Sequence, residues 1–270
     1  MIKAAVFLLL LFNLSMAGQK TVAPPGTVRI NDTLYADITE VENIAWREYV
    51  YYLSRFDSAS LEKALPDTLV WGIDSSSLAL QQYYFRHPSF NDYPVVGISY
   101  RQALAFCAWR TEQVNFNSYL KEKKISDWEN HLKDSYPVRV YYRLPTEKEW
   151  EMLAAGGKST TQYPYGVDSV YRKWKKKYTR VFNCRYPENN PLDTLSQKFG
   201  YYTAAGKSYW PNGFRLCNLI GNVAEMVQEE GIAKGGSFEH QLEDCKIKNK
   251  QTYSGPERWL GFRCVAVVLK

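Results

Sequence analysis

The sequence predicts an α+β fold with a few capped helices in its first half, then short strands strung between ordered turns. Three observations carry this. Ser or Thr followed three residues later by Glu or Gln, the signature of a helix start, occurs at Thr39–Glu42, Ser99–Gln102 and Thr146–Glu149. Beyond Gly156 helical periodicity is scarce and turn formers recur, at Tyr163-Pro164-Tyr165-Gly166, Pro187 to Pro191, Pro211-Asn212-Gly213 and Gly235-Gly236. The 270 residues are 45% hydrophobic, 23% charged and 15% aromatic, which excludes wholesale disorder and fibrous repeats. A chain of this length buries a core without help from metals or disulfides.

Taken in order, residues 1–17 read as a signal peptide. Lys3 gives a positive start, Ala4 to Phe12 is apolar but too short to span a bilayer, and Ser15-Met16-Ala17 supplies small residues before Gly18. Residues 18–26 form a short tail, and 27–270 one domain. Thr27 to Ile30 alternates, Asn31-Asp32 turns and Thr33 to Ala36 returns, a hairpin. Thr39 with Glu42 opens a helix whose buried stripe includes Ile44, Tyr49 and Leu53. Ser99 with Gln102 opens a second, carrying Ala103, Phe106, Cys107 and Arg110. Residues 112–136, polar and lysine-rich with Trp128 and Leu132 as anchors, read as a surface insertion. Thr146 with Glu149 opens a short helix ended by Gly156-Gly157, and Gly261 to Leu269 supplies a late strand.

Composition narrows the function classes. Three histidines (His87, His131, His240) leave any multi-histidine metal centre starved of ligands, and a net charge of +6 spread over so large a domain argues no nucleic-acid role. No later stretch has the length of a transmembrane segment. The run Arg172-Lys173-Trp174-Lys175-Lys176-Lys177, between Tyr171 and Tyr178, reads as a solvated loop, or else as a contact for an anionic envelope polymer or acidic partner. The five cysteines (107, 184, 217, 245 and 264) include no CxxC pair, and an odd count leaves at least one thiol outside any intramolecular pairing.

Several ordered motifs resemble those of formylglycine-generating-enzyme-like (sulfatase-modifying factor) domains: Tyr93-Pro94-Val95-Val96-Gly97-Ile98-Ser99 leading to Phe106-Cys107-Ala108-Trp109, Arg143-Leu144-Pro145-Thr146-Glu147 through Trp150, Tyr163 to Gly166, Gly221-Asn222-Val223-Ala224-Glu225, Lys234 to Phe238, and Gly261-Phe262-Arg263-Cys264. The match runs from about Thr27 to Leu269. It implies the formylglycine-generating-enzyme fold, related in architecture to C-type-lectin-like domains. His87-Pro88, Asp92-Tyr93-Pro94 and Trp109-Arg110-Thr111 further resemble the gliding-motility and type IX secretion branch of envelope proteins. Those are typically lipoproteins, and the lipid-bearing cysteine is missing here.

The resemblance also implies sites. Calcium would be held by Asn222 and Glu225 with a carbonyl near Val223, hard oxygen donors suited to the ion, although Ala224 and Met226 replace the usual aromatics. A second calcium site retains only Asn183, because its aspartate falls near Lys198. Catalytic members read Gly-Gly-Ser-x-x-Cys-x-x-x-x-Cys, two thiolates that hold copper. Here Ser237 and Cys245 match, but His240 stands in the first cysteine's place and Lys246, Lys248 and Lys250 stand in an arginine-rich stretch. Copper is therefore not expected, and Ser237, His240 and Cys245 form a degenerate site. Cys107 and Cys264 are expected as a disulfide. Glu147 and Glu149 lie in a first helical turn where the helix dipole favours negative charge, and Arg263 is expected to pair with one of them inside. The expected function is an exported, catalytically inactive binding or scaffolding domain of the cell envelope, with an envelope protein, peptide or glycan as partner. The alternative is a copper-dependent formylglycine-generating or related thiol oxidase.

Overall fold

The structure is a computed structural model, and it describes residues 23–72, 77–158, 162–166, 171–174, 177–185 and 202–269. The signal peptide expected at 1–17, the turn at Pro187–Pro191 and Lys198 lie outside the described residues.

Strands β1 (Thr27–Arg29) and β2 (Leu34–Asp37) form the expected hairpin. Asn31 Oδ1 accepts the N–H groups of Thr33 and Leu34 at 3.0 and 2.9 Å, which closes the turn. With β3 (Val140–Arg143) and β10 (Val265–Val268), a strand within the span expected at 261–269, they make an antiparallel sheet of order β1-β2-β10-β3. Val265 lies opposite Ala36 on one side and Arg143 on the other.

Helix α1 (Asn43–Phe56) starts later than Thr39 foretells. Its N-cap is Glu42, with no side-chain capping bond. Residues before it are held extended instead: Val41 N–H donates to Phe262 O at 2.8 Å and Glu42 bridges to Pro94. The rotated face corrects the expected stripe. Ile44 is 45% exposed while Trp46 is wholly buried beside Tyr49 and Leu53. Two short helices that the sequence did not announce follow, α2 (Ser58–Ala64) and α3 (Leu78–Tyr83).

Helix α4 (Tyr100–Lys123) carries the full capping box, Gln102 N–H to Ser99 Oγ at 3.3 Å and Ser99 N–H to Gln102 Oε1 at 2.7 Å. The helix runs on through the first half of the expected surface insertion, since Lys, Glu and Gln are good helix formers. That half is anchored rather than peripheral. Asn115 and Phe116 are buried, and Asn115 accepts from Arg139 and Val140 N–H while donating to Val140 O, splinting β3 to the helix. Trp128 meets Phe56 edge-on at 5.9 Å, but both Trp128 and Leu132 are exposed, so neither is buried as an anchor. Helix α5 (Glu147–Ala155) has the second box, between Thr146 and Glu149, and ends at Gly156 in the left-handed region, φ 59°.

Of the basic run, Arg172 to Trp174 lie in strand β4 (Tyr171–Trp174), which pairs antiparallel with β5 (Lys177–Arg180), while Lys175 and Lys176 lie outside the described residues. A further sheet comprises β6 (Ala224–Met226), β7 (Ile232–Lys234), β8 (Gln251–Thr252) and β9 (Leu260–Gly261), in the order β8-β7-β6-β9 with β6 parallel to β9. The main core lies between α1, α4 and the strand ends. Trp46 stacks on Phe106 at 5.3 Å, and Phe262 meets both rings edge-on at 6.1 and 5.7 Å. Each such aromatic pair adds about 0.5–1.5 kcal/mol beyond its buried area. No helix among the described residues is long and apolar enough to cross a membrane.

Candidate functional site

The degenerate segment leaves β7 through two glycines with positive φ, Gly235 at 91° and Gly236 at 65°. A side chain at Gly236 would strike Cys245 Sγ at 2.5 Å, and one at Gly235 would meet the Trp150 ring at 2.9 Å, so both positions need glycine for space as well as for backbone shape. The turn brings the Ser237 hydroxyl to His240 Nδ1 at 2.7 Å, while Glu239 N–H donates to the same oxygen at 3.1 Å. Which of the two donates follows the tautomer of the ring. The His240 ring is half-buried, packs edge-on to Trp259 at 5.2 Å, and is held below the usual histidine range chiefly by burial, opposed by Asp244 and Glu239. Ser237 itself is completely buried. A serine–histidine pair with no exposed oxygen offers a substrate no nucleophile, so the bond fixes the turn.

Cys245 is also completely buried, at the end of a single 3-10 turn, Leu242–Cys245. Its thiol donates to Gln241 O at 3.3 Å and is hydrogen-bonded to the thiol of Cys184. Ser237 and His240 are thus brought together, while Cys245 faces a different cysteine. Among the described residues no group of three or more His, Cys, Asp or Glu side chains is arranged to hold a metal ion. A buried thiol and an imidazole whose Nδ1 is engaged by Ser237 do not reproduce two thiolates, so the donor set does not fit the family's copper.

The expected calcium pair is engaged elsewhere. Glu225, on β6, is 1% exposed, and both of its carboxylate oxygens accept from Arg263, Oε2 from Nε at 2.7 Å and Oε1 from Nη2. Trp150 Nε1 donates to Oε2 at 2.7 Å. Asn222 Oδ1 accepts from Ala204 N–H at 2.7 Å and Asn183 Nδ2 at 3.2 Å, and its amide donates to Glu40 Oε1 at 2.8 Å. With the carboxylate neutralised by a guanidinium and the amide oxygen taken twice, Asn222 and Glu225 do not present calcium with a hard-oxygen site. Asn183, the remnant of the second site, donates its amide N–H groups to Tyr202 O at 2.9 Å and to Asn222 Oδ1 at 3.2 Å.

Arg263 pairs with Glu225, not with Glu147 or Glu149 as the sequence reading expected. Glu149 is close enough to Arg143 to take a bidentate pair instead, 2.6 and 2.8 Å, while also capping α5. Glu147 and Glu151 hold the completely buried Lys234 at 3.3 and 3.1 Å. Their carboxyls lie below the usual range: Arg143 hydrogen bonds act on Glu149, and Lys250 and Lys234 act on Glu147. These acids are structural partners of cations and not proton donors.

Glu40, Trp150 and Cys184 are site residues that the sequence reading did not single out for these roles. Glu40 is 1% exposed and accepts from Asn218 and Asn222, and burial foremost pushes its carboxyl up to about 8, with Arg263 opposing and Glu225 adding. No local pattern marks it, because its partners come from residues 218–263. Cys107 and Cys264 are both buried free thiols with their sulfurs 3.5 Å apart.

Comparison with known proteins follows from this geometry. The model of the sulfatase-modifying factor enzyme 1-like domain matches residues 10–268. The formylglycine-generating enzyme of Mus musculus is 23% identical over 90% of this chain and 68% of its own length. The inactive C-alpha-formylglycine-generating enzyme 2 of Bos taurus is 26% identical over 65% of this chain and 50% of its own. A solved structure, PvdO from Pseudomonas aeruginosa, aligns with TM-score 0.44 and 18% identity over 66% of this chain and 63% of that one.

Proposed function

For a chain that belongs to the sulfatase-modifying factor enzyme 1-like domain family, we propose a non-catalytic role: a binding or scaffolding domain exported to the bacterial cell envelope. The observation that carries the reading is His240 in the place of the first thiol, bonded to a buried Ser237, with Cys245 turned into the interior. Oxidation of a substrate cysteine by this family requires a paired soft-donor site, and one buried thiol with an imidazole in place of the other does not supply it. That the chain's relatives include one named as inactive accords with this. The signal-like residues 1–17 support export, and the family resemblance of His87-Pro88 and Asp92-Tyr93-Pro94 supports a place among gliding or type IX secretion components. The partner is an envelope protein, peptide or glycan.

The purified chain, supplied with Cu(I), oxygen and a sulfatase-type cysteine peptide, will form no formylglycine, as read by peptide mass. His240→Cys will not restore turnover, because the second sulfur remains buried. Appearance of the aldehyde with unmutated protein would overturn the reading.

On the same reading Cys107 and Cys264 form a disulfide, which closes a long loop and contributes up to about 4–5 kcal/mol on the chain-entropy account. Unreduced protein should protect both cysteines from alkylation in denaturant, and reduction should lower Tm. Free alkylation of Cys107 without reductant contradicts this pairing.

A further inference from the structure

The segment that carries Cys184 is clamped on both sides. Asn183 bridges to Gly221, with Asn222 N–H donating to Asn183 O at 2.7 Å. Arg185 bridges to Gln241, with its N–H donating to His240 O at 2.7 Å. Cys184 is thereby fixed between the Gly221 loop and the 240–245 turn, and a side chain added at Gly221 would meet Cys184 Cβ at 3.1 Å. Cys184 and Cys245 are both 0% exposed and share one apolar cluster with Phe182 and Ile220, with the two thiols hydrogen-bonded to each other. These contacts place two sulfurs side by side, on backbones held in register, in a chain with five cysteines.

We propose that Cys184 and Cys245 form a second disulfide, a covalent staple that fastens the 183–185 segment to the degenerate-site turn and removes the Cys245 thiol from chemistry. It rests on the non-catalytic reading and deepens it, since the cysteine that matches the family's second thiol becomes a structural half-cystine. The oxidant is a disulfide of the low-molecular-weight or oxidoreductase class. One thiolate attacks it to form a mixed disulfide, the other displaces the leaving thiolate, and two electrons and two protons pass to the oxidant, which ends as two thiols. Hydrogen bonding to Cys184 and burial hold the Cys245 thiol well above its usual range, so the exchange belongs to folding, before the cluster closes, when either sulfur can ionise. Two pairs then account for four cysteines and leave buried Cys217 as the single thiol.

The test uses the full chain refolded in a reduced and oxidised glutathione buffer, then alkylated in denaturant without reductant and mapped by mass spectrometry. The expected result is a linked Cys184–Cys245 peptide alongside Cys107–Cys264, with alkylation confined to Cys217. Cys184→Ser should convert Cys245 to the alkylated form, and if that variant fails to fold, the linked peptide from unmutated protein decides. Alkylated Cys184 and Cys245 overturn the proposal. If they are alkylated and the peptide assay still yields no aldehyde, only the staple is lost. If an aldehyde appears as well, the non-catalytic reading falls with it.

Discussion

Arg263→Met lowers the free energy of unfolding by about 3–5 kcal/mol, the cost of stranding one member of a buried ion pair. Arg263 is completely buried, and its guanidinium donates to both oxygens of Glu225, to Asp37 O at 3.0 Å and to Cys217 O at 2.8 Å. It therefore ties β6, β2, the 217 loop and the final strand segment together at one point. Methionine fills much of the volume but leaves the Glu225 carboxylate with only the Trp150 N–H among these strong donors. The paired change Arg263→Met with Glu225→Leu should recover a large part of the loss, because a dry pair replaced on both sides is far cheaper than one broken on one side. Urea midpoints at unchanged slope measure both. A single-variant cost within about 0.5 kcal/mol, the scale of surface substitutions, would contradict the account.

The second large effect is pH-dependent and belongs to Glu40. Its carboxyl is raised from 4.5 to about 8, first by burial, so the folded chain keeps a proton that the unfolded chain releases. Stability therefore falls as pH rises from about 4.5 towards 8, with a slope approaching ~1.4 kcal/mol per pH unit at most for one proton. Glu147, Glu149 and Glu151 act in the opposite sense. Their lowered carboxyls contribute stability above the ordinary carboxylate range that is lost as pH falls through their folded values. The two windows separate, so the difference between unmutated protein and Glu40→Gln isolates the first. That difference should decline steadily across the window when unfolding is measured at several pH values, and a flat or rising difference would refute it. Because Arg263 lowers the Glu40 value, Arg263→Met should push the onset of ionisation still higher.

What was legible in the sequence was what is decided within a few residues. The Asn31 turn and the Ser99 and Thr146 boxes appear as read, since donor and acceptor lie two or three positions apart. Thr39 failed as a cap because Val41 and Glu42 are recruited by Phe262 and Pro94, residues no local pattern can see. The same limit hid the site. Gly235-Gly236-Ser237 and His240 were identified by resemblance, but that Glu225 answers to Arg263, and Cys245 to Cys184, depends on loops dozens of residues apart converging. Polarity misled at residues 112–123, where charged residues are the outer face of a helix whose inner face carries Asn115 and Phe116.

The placement of β10 sets the order of events in the life of the chain. Val265 lies opposite Ala36 and Arg143, so a strand made well after β1, β2 and β3 is one of the two inner members of their sheet. Until it leaves the ribosome, β2 and β3 have no common neighbour, Glu225 has no guanidinium and Cys107 no counterpart. Pairing across such separations is slow because loop closure precedes the reward. This sheet therefore cannot close until residues 265–268 have been made, and in the meantime β2 and β3 are exposed to holdase chaperones. A stop codon before residue 265 would part β3 from the β1–β2 hairpin rather than trim one edge of the sheet.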